Sequence, residues 1–265
     1  MITPFKNDKV DYKALGNIIE IQIMNGINAL LLIGTTGESP TITESERREI
    51  TTYAKRIING RVPLVIGIGG NNPKKIIEYG TWAKQDGADV VMVTAPYYNR
   101  TTQDGVVAYF NEIANNIKMP ILAYNVPART GMNIESATFA KIAKNKWIQG
   151  IKESSGNIEQ IAHTICQCPN VAVYCGDDAL SLPSYVVGAQ GVVSVASNLE
   201  PKLVCGIYDQ FKIKKIKSSR KVYQDLLPLF KKLFLQTNPI PVKYFMSKQG
   251  LCKNELRLPL VKMKD

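Results

Sequence analysis

The chain has 265 residues, 45% of them hydrophobic, and 33 Lys+Arg against 22 Asp+Glu give a net charge of +11. That length and apolar content suit one large folded domain or two small ones and exclude a disordered chain. No run approaches the roughly 20 apolar residues of a membrane helix, and Met1-Ile-Thr-Pro-Phe5 lacks the basic and apolar regions of a secretory signal, so no membrane partner and a cytoplasmic location are expected.

The cysteines are Cys166, Cys168, Cys175, Cys205 and Cys252. An odd count without a signal favours reduced thiols. Cys166-Gln-Cys168 is too tight for the usual zinc spacing and His163 is the only histidine, so no metal site is expected. A Ser-His-Asp relay would need His163 itself, which reads instead as a surface helical residue. The densest basic stretch, Lys212-Ile-Lys-Lys-Ile-Lys-Ser-Ser-Arg-Lys221, has isoleucines three apart and reads as a helix with a solvated basic face. No aromatic interleaving accompanies it, so no nucleic-acid partner is expected. A positive field still favours small anionic substrates.

In chain order, Asp11 to Asn25 reads as the first helix, and Asn28 to Ile33 as the first clear strand. Thr43-Glu-Ser-Glu46 is a capping box opening a helix through Lys55, with Ile50, Tyr53 and Ile57 on one face. Val62 to Ile66 is a strand, and Asn72-Pro73 starts a helix at the favoured proline position. Further strands are Asp89 to Val93, Pro120 to Tyr124, Ile148 to Lys152, Val171 to Tyr174 and Val192 to Val195. Helical stretches fall at Val106 to Ile117 and Phe139 to Ala143, then at Tyr223 to Gln236 and Val242 to Gln249. The strands start about 20 to 35 residues apart, the length of a βα unit. They are continuous rather than alternating, as parallel strands covered on both faces should be.

Roughly seven strands alternating with helices predict an α/β fold, a (β/α)8 TIM barrel, with a doubly wound sheet as the alternative. Residues 1–200 are expected to form the barrel, with the first strand truncated to its end near Met1 to Phe5. Residues 201–265 are expected to form a small C-terminal helical extension.

A barrel places its active site at the C-terminal ends of the strands. Those ends are polar here: Gly34-Thr-Thr-Gly-Glu38, Thr94-Ala-Pro-Tyr-Tyr-Asn99, Tyr124-Asn-Val-Pro-Ala-Arg-Thr-Gly131, Lys152, Cys175-Gly-Asp-Asp178 and Ser194-Val-Ala-Ser-Asn198. Lys152 closes a buried strand, where desolvation favours the neutral amine, a nucleophile toward ketones. A phenol can shuttle protons if hydroxyls relay them. Thr35 and Thr36 offer hydroxyls and amides to a carboxylate, and Arg129 can fork onto a second one. Taken singly, these threonines could cap a turn, the tyrosines could pack and Arg129 could be a surface ion pair. Gly67-Ile-Gly-Gly70 lacks the third spaced glycine of a dinucleotide fingerprint and reads as a βα turn.

Gly34-Thr-Thr-Gly-Glu-Ser39, Pro96-Tyr-Tyr98, Tyr124-Asn-Val-Pro-Ala-Arg-Thr-Gly131, Gly150-Ile-Lys-Glu153 and Arg257-Leu-Pro259 resemble, in order, the signatures of the dihydrodipicolinate synthase family of pyruvate-dependent class I aldolases. The resemblance implies condensation of pyruvate with L-aspartate 4-semialdehyde on the route to diaminopimelate and lysine. It implies no cofactor. It makes Lys152 the Schiff-base lysine, Tyr124 the proton donor and acceptor, and Thr35 and Tyr98 the rest of a proton relay. Thr36 and the backbone at Val193 would contact pyruvate, and Arg129 the semialdehyde carboxylate. Tyr98 would reach a neighbouring subunit's site, implying a tight dimer and, from two dimers, a tetramer.

Two features depart from the family pattern. Members carry a full first strand before Thr3-Pro4 and a further helix after Leu260. Lysine-inhibited members have histidines where Glu44 and Arg47 stand and a glutamate where Lys75 stands, so weak or absent lysine inhibition is expected. The rival readings are another pyruvate lyase of the superfamily, such as an N-acetylneuraminate lyase or a keto-deoxy-sugar-acid aldolase, and a non-catalytic remnant. The Tyr97-Tyr98 pair and Arg129 argue for the semialdehyde substrate.

Overall fold

The computed structural model describes residues 1–264. It divides into two compact units: Met1–Gly67 with Asp86–Ala88 and the chain from Ser194 onward, and Ile68–Gln85 with Asp89–Val193.

The first unit opens with Ile2 N–H donating to Asn198 Oδ1 at 3.0 Å and Thr3 Oγ1 to the Gly37 carbonyl at 2.7 Å. The residual first strand expected there is instead a small antiparallel hairpin, β1 (Phe5–Lys6) with β2 (Lys9–Val10). Asn7 and Asp8 at its tip have φ of 53° and 59°, the paired positive values of a type I′ turn. Helix α1 (Tyr12–Met24) is capped by Asp11, whose side chain accepts from the Ala14 amide at 3.0 Å. Strand β3 (Leu30–Leu32) pairs in parallel with β4 (Leu64–Gly67). Between them runs α2 (Glu44–Ile58) with the expected capping box: Thr43 Oγ1 accepts from the Glu46 amide at 3.2 Å, and Glu46 Oε2 accepts from the Thr43 amide at 2.9 Å. Its buried face is Ile50, Ala54 and Ile58, one position on from the expected Ile57.

The second unit carries β5 (Val90–Thr94), β6 (Ile121–Asn125), β7 (Ile148–Glu153) and β8 (Ala172–Cys175), all parallel and paired in that order. Its helices are α3 (Pro73–Gln85), α4 (Gln103–Ile117), the single turn α5 (Pro127–Thr130), α6 (Ser136–Ile142), α7 (Ile158–Gln167) and α8 (Ser181–Val186). His163 lies exposed on α7, 3.5 Å from Glu159. In neither unit does the strand order reverse. A doubly wound sheet requires such a switch point, so consecutive order favours the barrel.

Two sequence expectations need correction. Val192 to Val195 is not a strand: only an isolated parallel bridge, Cys175 to Val192, forms there. The segment Lys212 to Lys221 is not one helix. The first unit's α9 (Pro201–Lys212) ends there, Lys214 turns the chain at φ 61°, and α10 (Ile216–Lys232) starts afresh, leaving Ile213 and Ile216 about half exposed. The last helix, α11 (Ile240–Lys248), follows Asn238. Among the described residues no helix is long and apolar enough to cross a membrane. No cluster of three His, Cys, Asp or Glu there could hold a metal ion.

Candidate active site

Lys152 and Tyr124 are each the penultimate residue of a strand, β7 and β6, and the parallel register places them side by side. Directly paired residues project to the same face. The Lys152 Nζ lies 4.2 Å from the centre of the Tyr124 ring, over its face. Both side chains are nearly buried, at 9% and 5% exposure. The ring quadrupole attracts this group when it carries its proton.

The neighbouring residues explain the placement. One residue on, Glu153 faces the helices. It is buried and accepts from Asn125 Nδ2 at 3.1 and 3.0 Å, from Gln160 Nε2 of α7 at 3.0 Å and from the Ser155 amide at 2.7 Å. Alternation along the strand then turns Lys152 to the opposite, inner face. Two residues back, Gly150 has no side chain, and a Cβ there would meet Leu122 Cδ1 at 3.1 Å. Leu122 therefore fills the layer beneath the lysine. Gly176, just past β8, gives the lysine its room: a Cβ there would lie 2.8 Å from Lys152 Cε and 1.8 Å from Ser154 Oγ.

Sequence reasoning missed two parts of this arrangement. Tyr174 of β8 is the register partner of Lys152 on the other side from Tyr124. It too is the penultimate residue of its strand, and that shared position is the signal that could have found it. The second is the Asn125–Glu153–Gln160 network. A carboxylate directly after a strand-end lysine, forced to the covered face by alternation, needs such partners.

The other expected residues of this unit are placed differently. Tyr98 is 91% exposed with φ 70°, a left-handed conformation that is uncommon for a tyrosine. It is not packed with Lys152 and Tyr124. Arg129 lies exposed on α5, at the mouth of the loop after β6. The Val193 amide donates to the Cys175 carbonyl at 2.7 Å.

Thr35 and Thr36 belong to the first unit, in the turn after β3. The turn is closed by Gly37 N–H to the Gly34 carbonyl at 3.0 Å and Glu38 N–H to the Thr35 carbonyl at 3.1 Å. Glu38 ends it at φ 57°. Remote residues hold it in place. Asn238 Nδ2 donates to Thr36 Oγ1 at 2.9 Å, and the fully buried Lys243 ammonium of α11 pairs with Glu38 Oε1. The Arg257 amide donates to Glu38 Oε2 at 3.0 Å. Burial pulls the Lys243 ammonium below its usual value, and Glu38 beside it pushes the other way.

The chain matches the profile of the Dihydrodipicolinate synthetase family over residues 1–265. It belongs to the dihydrodipicolinate synthetase family. A 4-hydroxy-tetrahydrodipicolinate synthase of Leptospira biflexa is 40% identical over 266 residues, covering 100% of this chain and 90% of the relative. Among solved structures, dihydrodipicolinate synthase from Aquifex aeolicus superposes with a TM-score of 0.97 at 40% identity, over 100% of this chain and 91% of that one. A structure described as the first monomeric dihydrodipicolinate synthase variant superposes at 0.98, with 37% identity and coverage of 100% and 90%. The α/β barrel expected from the sequence is thus the fold of this family, and the chain is an enzyme of it.

Proposed function

We propose that this protein is a lyase of class I aldolase type that condenses pyruvate with L-aspartate 4-semialdehyde to 4-hydroxy-tetrahydrodipicolinate, on the route to diaminopimelate and lysine. The observation that carries this reading is the register pairing of Lys152 with Tyr124 at the ends of two adjacent parallel strands, in a chain of this family.

The chemistry follows from the groups present. The unprotonated Lys152 amine adds to the pyruvate ketone, and water leaves to give a protonated imine. That imine is an electron sink, so a methyl proton departs and an enamine forms. The enamine carbon attacks the aldehyde, and the substrate's own amine then displaces Lys152 as the ring closes. Tyr124 moves the protons, with Thr35 and Tyr98 as relay partners. Thr36 and the turn amides hold the pyruvate carboxylate, and Arg129 holds that of the semialdehyde. The backbone at Val193 contacts pyruvate. No organic cofactor or metal enters these steps.

The exposed Tyr98 supports a tight dimer in which this ring enters the partner's site, with two such dimers forming a tetramer. The free cysteines suit a reducing cytoplasm.

The test is covalent trapping. Incubation with pyruvate and borohydride should add one reduced adduct per chain on Lys152, seen by intact and peptide mass, and Lys152→Ala should abolish it. Turnover should follow with aspartate semialdehyde and not with sialic acid. An untrapped wild-type chain, or sialic acid cleavage, would overturn the assignment.

A further inference from the structure

A threonine hydroxyl has one proton to donate and lone pairs that accept. Which role it plays toward a ligand depends on what already occupies it. The Thr36 Oγ1 accepts from the Asn238 side-chain amide at 2.9 Å. With a lone pair taken, the Thr36 proton points away from Asn238, and the bond it accepts makes it a stronger donor. A carboxylate only accepts, so a hydroxyl set in this way is matched to an anion.

Asn238 is itself held still. It is 6% exposed and sits just before α11, which is pinned five residues further on, where Lys243 pairs with Glu38. Lys243 Nζ also donates to the Glu255 carbonyl at 2.8 Å and lies 4.0 Å from the centre of the Phe5 ring. One short segment of chain therefore fixes the Thr36 hydroxyl directly and the end of its turn indirectly.

We propose that Asn238 is a positioning residue that aims the Thr36 proton at the substrate's carboxylate and so sets the preference for a 2-keto acid over an uncharged ketone. This rests on the reading of Thr36 as a pyruvate contact. Asn238 touches no reacting atom; it acts through Thr36.

The experiment compares borohydride trapping of pyruvate with trapping of acetone, which has the ketone and no carboxylate, in wild type, Asn238→Ala, Asn238→Asp, Thr36→Val and the Asn238→Ala/Thr36→Val double variant. Asn238→Ala should raise the half-saturating pyruvate concentration about tenfold, the scale of one charge-assisted hydrogen bond, and leave acetone trapping within about twofold. Asn238→Asp, equal in shape, should be worse still, because it turns the donor into an acceptor and brings a like charge. The double variant should be no worse than Thr36→Val, because the two residues act as one unit. A purely structural role would depress acetone and pyruvate trapping alike, and that result would overturn the proposal. So would wild-type pyruvate dependence in Asn238→Asp, the variant that decides if the alanine variant fails to fold. Absence of a pyruvate adduct in wild type would overturn the functional reading itself, a different outcome from either.

Discussion

The strand ends carrying Tyr124 and Lys152 and the turn carrying Thr35 and Thr36 are built by opposite means. At the strand ends, the β ladder does the placing. Residues 28 positions apart meet because two parallel strands share a register, and Asn125 bonds Glu153 one step along the same ladder. In the turn, groups from 202 to 219 positions away do the placing: the side chains of Asn238 and Lys243 and the backbone amide of Arg257. A lysine on a ladder is held by repeated backbone bonds along two paired strands. A turn held by a few remote contacts depends on each of them.

The sharpest way to break this contrast is to remove the Lys243 ammonium. In Lys243→Met the Glu38 carboxylate, with 1% side-chain exposure, is left buried beside a hydrophobe. Breaking a buried pair in this way costs about 3–5 kcal/mol. The denaturation midpoint should fall accordingly, while the Lys152 adduct should still form in the fraction that remains folded. The added Glu38→Gln change should recover part of the loss, and a midpoint unmoved by Lys243→Met would show that the turn does not depend on its remote pin.

Tyr124→Phe tests the ladder side and should be smaller in stability but large in rate. The ring stays under the Lys152 amine, so the midpoint should move little. Under the proposed role of Tyr124, loss of its hydroxyl should lower kcat about a hundredfold, within the usual range for general acid–base groups. Steady-state assays beside thermal melts read both numbers, and a rate within about threefold of wild type would remove Tyr124 from the proton path.

The smallest effect is a pH dependence confined to the first unit. The Arg257 guanidinium forks onto Glu46, Nη1 to Oε2 at 2.7 Å and Nη2 to Oε1 at 2.6 Å, and holds that carboxyl below its ordinary value of 4.5. The unfolded chain therefore takes up this proton first as pH falls. The stability from the fork is complete above the ordinary carboxylate range and drains as pH drops through the lower folded value. Glu46→Gln should flatten this acid limb and change little at neutral pH. Melting curves collected from pH 7 down to pH 3 would show an unaltered limb if the fork contributes nothing.

Much of this was legible in the residues themselves. The capping box at Thr43 and Glu46, the start of α3 at Pro73 and the parallel strands through Lys152 all rest on local chemistry, and all formed where the pattern put them. The run Val192 to Val195 reads as a strand because a valine-rich tetrapeptide looks the same whether or not a partner strand lines up beside it. In the basic stretch, isoleucines three apart do not reveal the positive-φ turn at Lys214. Tyr174 went unnoticed because its value lies in its neighbours across the ladder, not in its own flanks.

The amino-acid order alone determined the family, the alternation of strand and helix, and the lysine and phenol at strand ends. These follow from short-range periodicity and from motifs a few residues long. Tertiary structure alone decided that Glu153 is satisfied by Asn125 and Gln160, that Gly176 clears space for Lys152, and that Asn238 and Lys243 grip the Thr36–Glu38 turn. The physical reason is that a hydrogen bond or a steric gap acts over a few ångströms of space, and no local pattern encodes which residue two hundred positions away will occupy it.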